Sequence, residues 1–133
     1  MRITQETDNA FRVLLHLTSL ESGSRCSARV ISQEMAISMQ FTLKILNKLT
    51  RSGLTRAYRG VNGGYALNAD PADISLKQVI EIIDGPIAIN RCLISPELCN
   101  RDATGDCNVH KALLEVQNML VEKLDGIRLN TLP

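Results

Sequence analysis

Apolar positions recur first at the three- and four-residue spacing of an amphipathic helix. Phe11, Leu14 and Leu15, with Val13 or Leu17, give a broad apolar face on a helix that Thr4 can cap and that runs to about Leu20, with Gly23 ending it. Ser27 then caps a short second helix through Met35, and Ser38 a third through about Ser52, with only Ala36 and Ile37 between them. The third helix carries Thr42, Ile45, Leu46 and Leu49 on one seam and Gln40, Lys44, Asn47 and Lys48 on the other side. Two short helices joined by so short a turn, the second with a polar, basic face, predict a helix-turn-helix.

The period then changes from helix to strand. Leu54 to Tyr58 reads as one strand, Gly60-Val61-Asn62-Gly63 as a turn and Gly64 to Leu67 as the return, which makes a hairpin wing. Asn68 to Asp73 is a loop containing Pro71, after which Ser75 with Gln78 forms a capping box. That box opens a helix carrying Leu76, Val79, Ile80, Ile82 and Ile83, and Gly85-Pro86 stops it. Residues 86–106 hold Pro, Asn, Asp and Gly without helical period and predict a loop, long enough to suggest function.

From about Cys107 to Leu124 an apolar stripe returns at Val109, Leu113, Val116, Leu120 and Leu124, widened by Leu114, Met119 and Val121. A winged unit of this size offers it no cover, so the stripe predicts pairing with its copy in a homodimer. The expected fold is mainly α with a small β-hairpin wing. It comprises a winged helix-turn-helix DNA-binding domain at 1–73, then a cysteine loop and dimerisation helices at 74–133.

The 133 residues suit one compact unit, and with aromatics at only 3% its core must be built from Leu, Ile, Val and Ala. The run from Phe11 to Leu20 is interrupted by Arg12 and His16 and lacks a small-residue cleavage site after it. Neither a signal peptide nor a membrane span fits, and a cytoplasmic protein is expected. The net charge of +1 hides a local bias. Between Met35 and Ala69 lie Lys44, Lys48, Arg51, Arg56 and Arg59 with no acidic residue; the chain's +1 less these five leaves −4 elsewhere.

This basic window coincides with the helix-turn-helix and runs on into the wing, as a nucleic-acid footprint does, whereas a merely solvated basic face need not. Candidate contacts to a double-stranded DNA operator are Ser38, Gln40, Phe41, Lys44 and Lys48 on the third helix, with Arg56, Arg59 and Gly60 on the wing. An arginine at a glycine-rich tip can enter a narrow minor groove and read its width.

Four cysteines in a reducing cytosol are better candidates for metal ligation or redox sensing than for disulfides. Cys92, Cys99 and Cys107 cluster, with six and seven residues between them, wider than zinc-knuckle spacing. His110 follows Cys107 by one helical turn. Three thiolates and an imidazole can hold an iron-sulfur cluster. Equally, Cys92 and Cys99 can be incidental and His110 a solvated helix residue; spacing leaves both open. Cys26 reads as a small buried residue and His16 as a packed one with a local hydrogen bond. With no nucleophile-base pair, phosphate loop or paired carboxylates in a cleft, no catalysis is expected.

The wing Arg59-Gly60-x-x-Gly63-Gly64-Tyr65-x-Leu67, with the later Cys92, Cys99 and Cys107, resembles the Rrf-two superfamily of bacterial winged-helix transcription regulators, which includes IscR-, NsrR- and RirA-like members. The likeness extends from Met1-Arg2-Ile3-Thr4 through the Ile74-Ser75-Leu76 helix start to the terminal helix. It implies a homodimer with crossed long helices, a repressor reading, and an iron-sulfur cluster that senses iron-sulfur, iron, nitric oxide or redox status. IscR-like members hold a two-iron cluster on three Cys and a His placed as His110 is. NsrR-like members hold a four-iron cluster whose fourth ligand is an Asp in the partner's first helix, where Asp8 stands. The long cysteine spacings and the Thr7-Asp8 context favour Asp8 and a 4Fe-4S cluster over His110 and a 2Fe-2S cluster. Leu43 stands where IscR-like members carry an acidic residue, leaving base contacts to Gln40, Phe41, Lys44 and their neighbours. Two rival expectations are a cluster-free regulator of the same fold, controlled by thiol oxidation or a protein partner, and a small iron-sulfur electron carrier.

Overall fold

The computed structural model describes residues 2–132. Helix α1 (Gln5–Ser19) leads to α2 (Ala28–Met35) and α3 (Met39–Arg51); strands β1 (Thr55–Tyr58) and β2 (Gly64–Leu67) follow, then α4 (Leu76–Asp84), the short α5 (Arg91–Ile94) and α6 (Asn108–Gly126). Among the described residues no helix is long and apolar enough to cross a membrane.

One capping device starts the main helices. Thr4, Ser27, Ser38 and Ser75 each stand in extended backbone, and each hydroxyl accepts the N–H three residues on, at 3.2, 3.2, 3.2 and 3.1 Å. These are the four caps expected. The first helix stops at Ser19, before Gly23, which lies in the turn that follows. The α2–α3 turn places Ala36 in the left-handed region at φ 53°, without a glycine.

The seam of α3 packs as its spacing dictates: Thr42, Ile45, Leu46 and Leu49 are all fully buried. They meet Ala10, Val13, Leu14 and Leu17 of α1, and Ala28 and Ile31 of α2. On α1, Phe11 and Leu15 lie half-buried at the margin of the core, whereas the small Ala10 is fully buried in it. Ile74, Val79, Ile83 and Leu129 belong to the same cluster.

The wing is an antiparallel pair in register from Thr55 opposite Leu67 to Tyr58 opposite Gly64. Its base is stitched to the chain before α2, where the Cys26 N–H donates to the Tyr65 carbonyl (2.9 Å) and the Tyr65 N–H to the Cys26 carbonyl (2.8 Å). Gly64, at φ 146°, makes this approach possible, since a Cβ there would stand 2.8 Å from the Cys26 carbonyl group.

Three expectations need correction. Residues 86–106 are not one loop: Asn90 caps α5 with its side-chain oxygen on the Arg91 N–H (2.9 Å), and Pro96–Leu98 forms a 3-10 turn. Elements of three or four residues are too short to leave a period in the sequence. Helix α6 runs two residues past Leu124, and the apolar stripe on it divides. Leu113, Leu120 and Leu124 lie half-buried, on a helix that packs against α4, whereas Val109, Val116 and Met119 are 64, 54 and 66% exposed. After α6 the chain returns to the core in a turn that the helical patterning did not register. Leu129 is fully buried, its N–H donates to the Ile74 carbonyl (3.0 Å), and the Leu76 N–H donates to the Ile127 carbonyl (3.0 Å).

Candidate functional site

Two groups of residues carry chemistry. The first is the outer face of α3 and the wing. Ser38, Gln40, Leu43, Lys44 and Asn47 are exposed on α3, with Phe41 half-buried beneath Lys44. The lysines are not free cations. Glu6, reaching across from α1, lies 3.1 Å from Lys44 Nζ and 2.7 Å from Lys48 Nζ, and Lys48 also donates to the Ile83 carbonyl at the end of α4 (3.3 Å). Burial alone would raise the Glu6 carboxyl, but hydrogen bonds and charge from Lys48 and then Lys44 outweigh it and hold its pKa below the ordinary glutamate value. Beside this clamp the Thr4 hydroxyl donates to Asp84 (2.6 Å), so the start of α1, the middle of α3 and the end of α4 are tied at one place.

On the wing, Arg56 and Arg59 are exposed, with Gly60 in the left-handed region (φ 96°) and Val61 fully exposed at the tip. Arg25, from the α1–α2 connection, lies with its guanidinium carbon 3.5 Å from the centre of the Tyr58 ring, and Arg56 approaches the same ring at 5.3 Å. Arg25 fell outside the basic window read from the sequence, because nothing local links position 25 to a strand more than thirty residues on.

The second group is the cysteine segment. His110 Nδ1 lies 3.3 Å from Cys92 Sγ, the His110 N–H donates to Cys107 Sγ (3.4 Å) and the Asn90 amide to Cys92 Sγ (3.5 Å). Cys107 is the N-cap of α6, sulfur taking the place that oxygen holds in the other helices, and this sets His110 one turn above it. Cys99 stands apart from this group, with no hydrogen bond to it. Backbone N–H groups of Ala103, Arg101 and Asp102, and the charge of Arg101, hold the Cys99 thiol below its ordinary pKa. Asp8 is on α1, half exposed and ion-paired with Arg12 at 2.7 Å. Cys26 is buried near His16 (3.6 Å), and its thiol is pushed up by burial and then by Glu34.

Among the described residues no three His, Cys, Asp or Glu side chains form a ready metal-binding group. The donors fit an iron-sulfur group in kind, being thiols and an imidazole on one segment, with the Cys99 sulfur already set among N–H donors that favour the thiolate. Closure on one centre requires Cys99 and Cys107 to draw in to Cys92 and His110.

A helix-turn-helix backed by a two-stranded wing and followed by a long terminal helix defines the winged-helix class of transcription regulators. The chain belongs to the Rrf2 family: the family model described as "Rrf2: Iron-dependent Transcriptional regulator" matches residues 3–133. Members of this family are transcription regulators rather than enzymes; they bind DNA and are generally dimeric. Among solved structures the chain is similar to CymR (YrzC), the global cysteine regulator of B. subtilis, at 19% identity and TM-score 0.79, covering 98% of this chain and 94% of that one. It is also similar to the oxidized form of Staphylococcus aureus CymR (21%, TM-score 0.74, 97% and 93% covered) and to T. potens IscR (21%, TM-score 0.74, 98% and 84% covered).

Proposed function

We propose that this regulator is a homodimeric repressor whose affinity for a two-fold symmetric operator is set by an iron-sulfur cluster on Cys92, Cys99 and Cys107, with residues 1–73 reading DNA and residues 74–133 sensing and dimerising. The contact between Cys92 and His110, 3.3 Å apart with the Cys107 sulfur one turn below, is the observation that carries the reading. It supports His110 as the fourth ligand over Asp8, whose carboxylate is paired with Arg12. Asp8 would have to be supplied from a second copy. Such a cluster, when bound, supplies an iron centre that oxidants, nitric oxide or iron shortage can alter. The chain's own residues do the rest. Ser38, Gln40, Phe41 and Lys44 present the α3 face to the major groove, Arg56, Arg59 and Gly60 carry the wing to the adjacent minor groove, and Lys48 links α3 to the end of α4.

A second reading, regulation by thiol oxidation without a cluster, is favoured by one observation, the lowered pKa of Cys99. Anaerobic purification with iron and sulfide quantitation decides between them. Stoichiometric iron and sulfide, lost in Cys92→Ala, is expected; their absence from anaerobic wild-type protein sinks the cluster. Asp8→Ala and His110→Ala compared by absorption and electron paramagnetic resonance assign the fourth ligand, with loss of the signal in His110→Ala expected. Arg59→Ala should weaken specific DNA binding by about 1–3 kcal/mol, and a smaller loss would remove the wing tip from base or groove reading.

A further inference from the structure

The geometry points to Arg25 as a phosphate-binding residue of the wing, seating one DNA backbone phosphate in the recess between the α1–α2 connection and the wing turn. The inference rests on the DNA-binding reading above and adds to it a contact that lies outside both the recognition helix and the hairpin. Arg25 is anchored twice: its guanidinium carbon lies over the Tyr58 ring, 3.5 Å from the ring centre, and one of its terminal nitrogens donates to the Asn62 carbonyl at 3.4 Å. The ring covers one face of the guanidinium, and the edge donors not used on Asn62 remain in one plane, the arrangement that meets two oxygens of a phosphate. Beside it opens a recess of about 500 Å³ lined by Gly23, Arg25, Asn62 and Gly63.

Charge agrees with this. Among the described residues the ion pairs are those of Arg12 with Asp8 and of Lys44 and Lys48 with Glu6, so Arg25, Arg56 and Arg59 carry no carboxylate partner. Arg25 and Arg56 both lie at the Tyr58 ring, and Arg59 is the next residue along. The Cys26–Tyr65 pairing fixes the backbone next to Arg25 to the wing, so a phosphate held by Arg25 also holds the hairpin whose tip carries Arg59.

The test is binding of Arg25→Ala and Arg25→Lys, at several salt concentrations, to a duplex recovered by selection from a random pool and to a duplex of random sequence. Arg25→Ala should weaken both duplexes by the same factor, about tenfold, and lower the slope of log affinity against log salt by about one phosphate. Arg25→Lys should keep the slope while recovering only part of the affinity, because a point charge lacks the planar fork. Affinity lost without a change of slope means that Arg25 only props the wing, and it overturns the inference. Loss confined to the selected duplex means base reading and overturns it too. If Arg25→Ala binds as wild type while Arg59→Ala is weakened, this inference fails alone; if wild type binds neither duplex in any iron or redox state, the DNA-binding reading fails first.

Discussion

Residues up to Asp84 and residues beyond it are built on different principles. The first part holds every fully buried apolar side chain of the described residues except Leu129, drawn from α1, α2, α3 and α4 and the segments between them. The second contains the longest helix, nineteen residues, and not one of them is buried. A unit with its own core can be stable alone. A helix with apolar groups on two sides and cover on only one is unfinished until something meets Val109, Val116 and Met119. The part with the helix-turn-helix and wing buries its core within one chain, Leu129 included, and the part that carries Cys92, Cys99 and Cys107 leaves an apolar face open.

Four measurements can break or sharpen that contrast. Ile45→Ala, in the centre of the first part, should cost about 2–5 kcal/mol of folding stability by denaturant melting, and a loss under about 1 kcal/mol would mean that the α3 seam is not the core. Val116→Asp on the open side of α6 should convert a dimer into a monomer in sedimentation while the secondary structure survives, because a charge there would be buried without a partner, at a cost on the order of 3 kcal/mol. An unchanged dimer would place the interface elsewhere.

Glu6→Gln should lower stability by about 1 kcal/mol or less, since the paired lysines are partly solvated. The sign with pH follows from the lowered pKa of Glu6: its contribution is present above the ordinary glutamate value, about 4.3, and is lost as pH falls through the lower folded value. A melting curve that responds to acid alike with and without Glu6 would remove the clamp. The smallest effect is one of order. Near neutral pH, in protein stripped of iron, iodoacetamide should modify Cys99 before Cys26, as followed by peptide mass spectrometry, because backbone donors lower one thiol while burial and Glu34 raise the other.

The first part was also the more legible in the sequence. Thr4, Ser27, Ser38 and Ser75 announce their helices because a hydroxyl three residues before an N–H is a local signal, and the α3 seam is legible because helical period is local as well. What escaped depends on contacts distant in sequence. Glu6 reads as an ordinary first-turn acid until α1 lies across α3, and Arg25 as a loop residue until Cys26 pairs with Tyr65. The α6 stripe was found but not its division, since two adjacent apolar faces give one broad stripe until α4 occupies one of them. Residues 86–106 hid α5 because a single turn of helix has no period to show.

The return of the chain to Ile74 after α6 has a mechanical consequence. It pins one end of the helix: backbone bonds at Ile127 and Leu129, and the Ser75 hydroxyl on Asp125 (3.0 Å), make that end a fulcrum set in the core. The rest of the helix is held by lighter ties, the Ile89 N–H on the Gln117 side chain at its middle (3.0 Å) and the Cys92–His110 contact near its start. At 1.5 Å per residue α6 is a rigid arm roughly 28 Å long, so a shift of about 1 Å at Cys107 tilts it by only about 2°. Cys107 thus sits where a given force has the longest arm, and two such arms crossed in a dimer would turn a small displacement at the sulfurs into a change in the spacing of the two winged units.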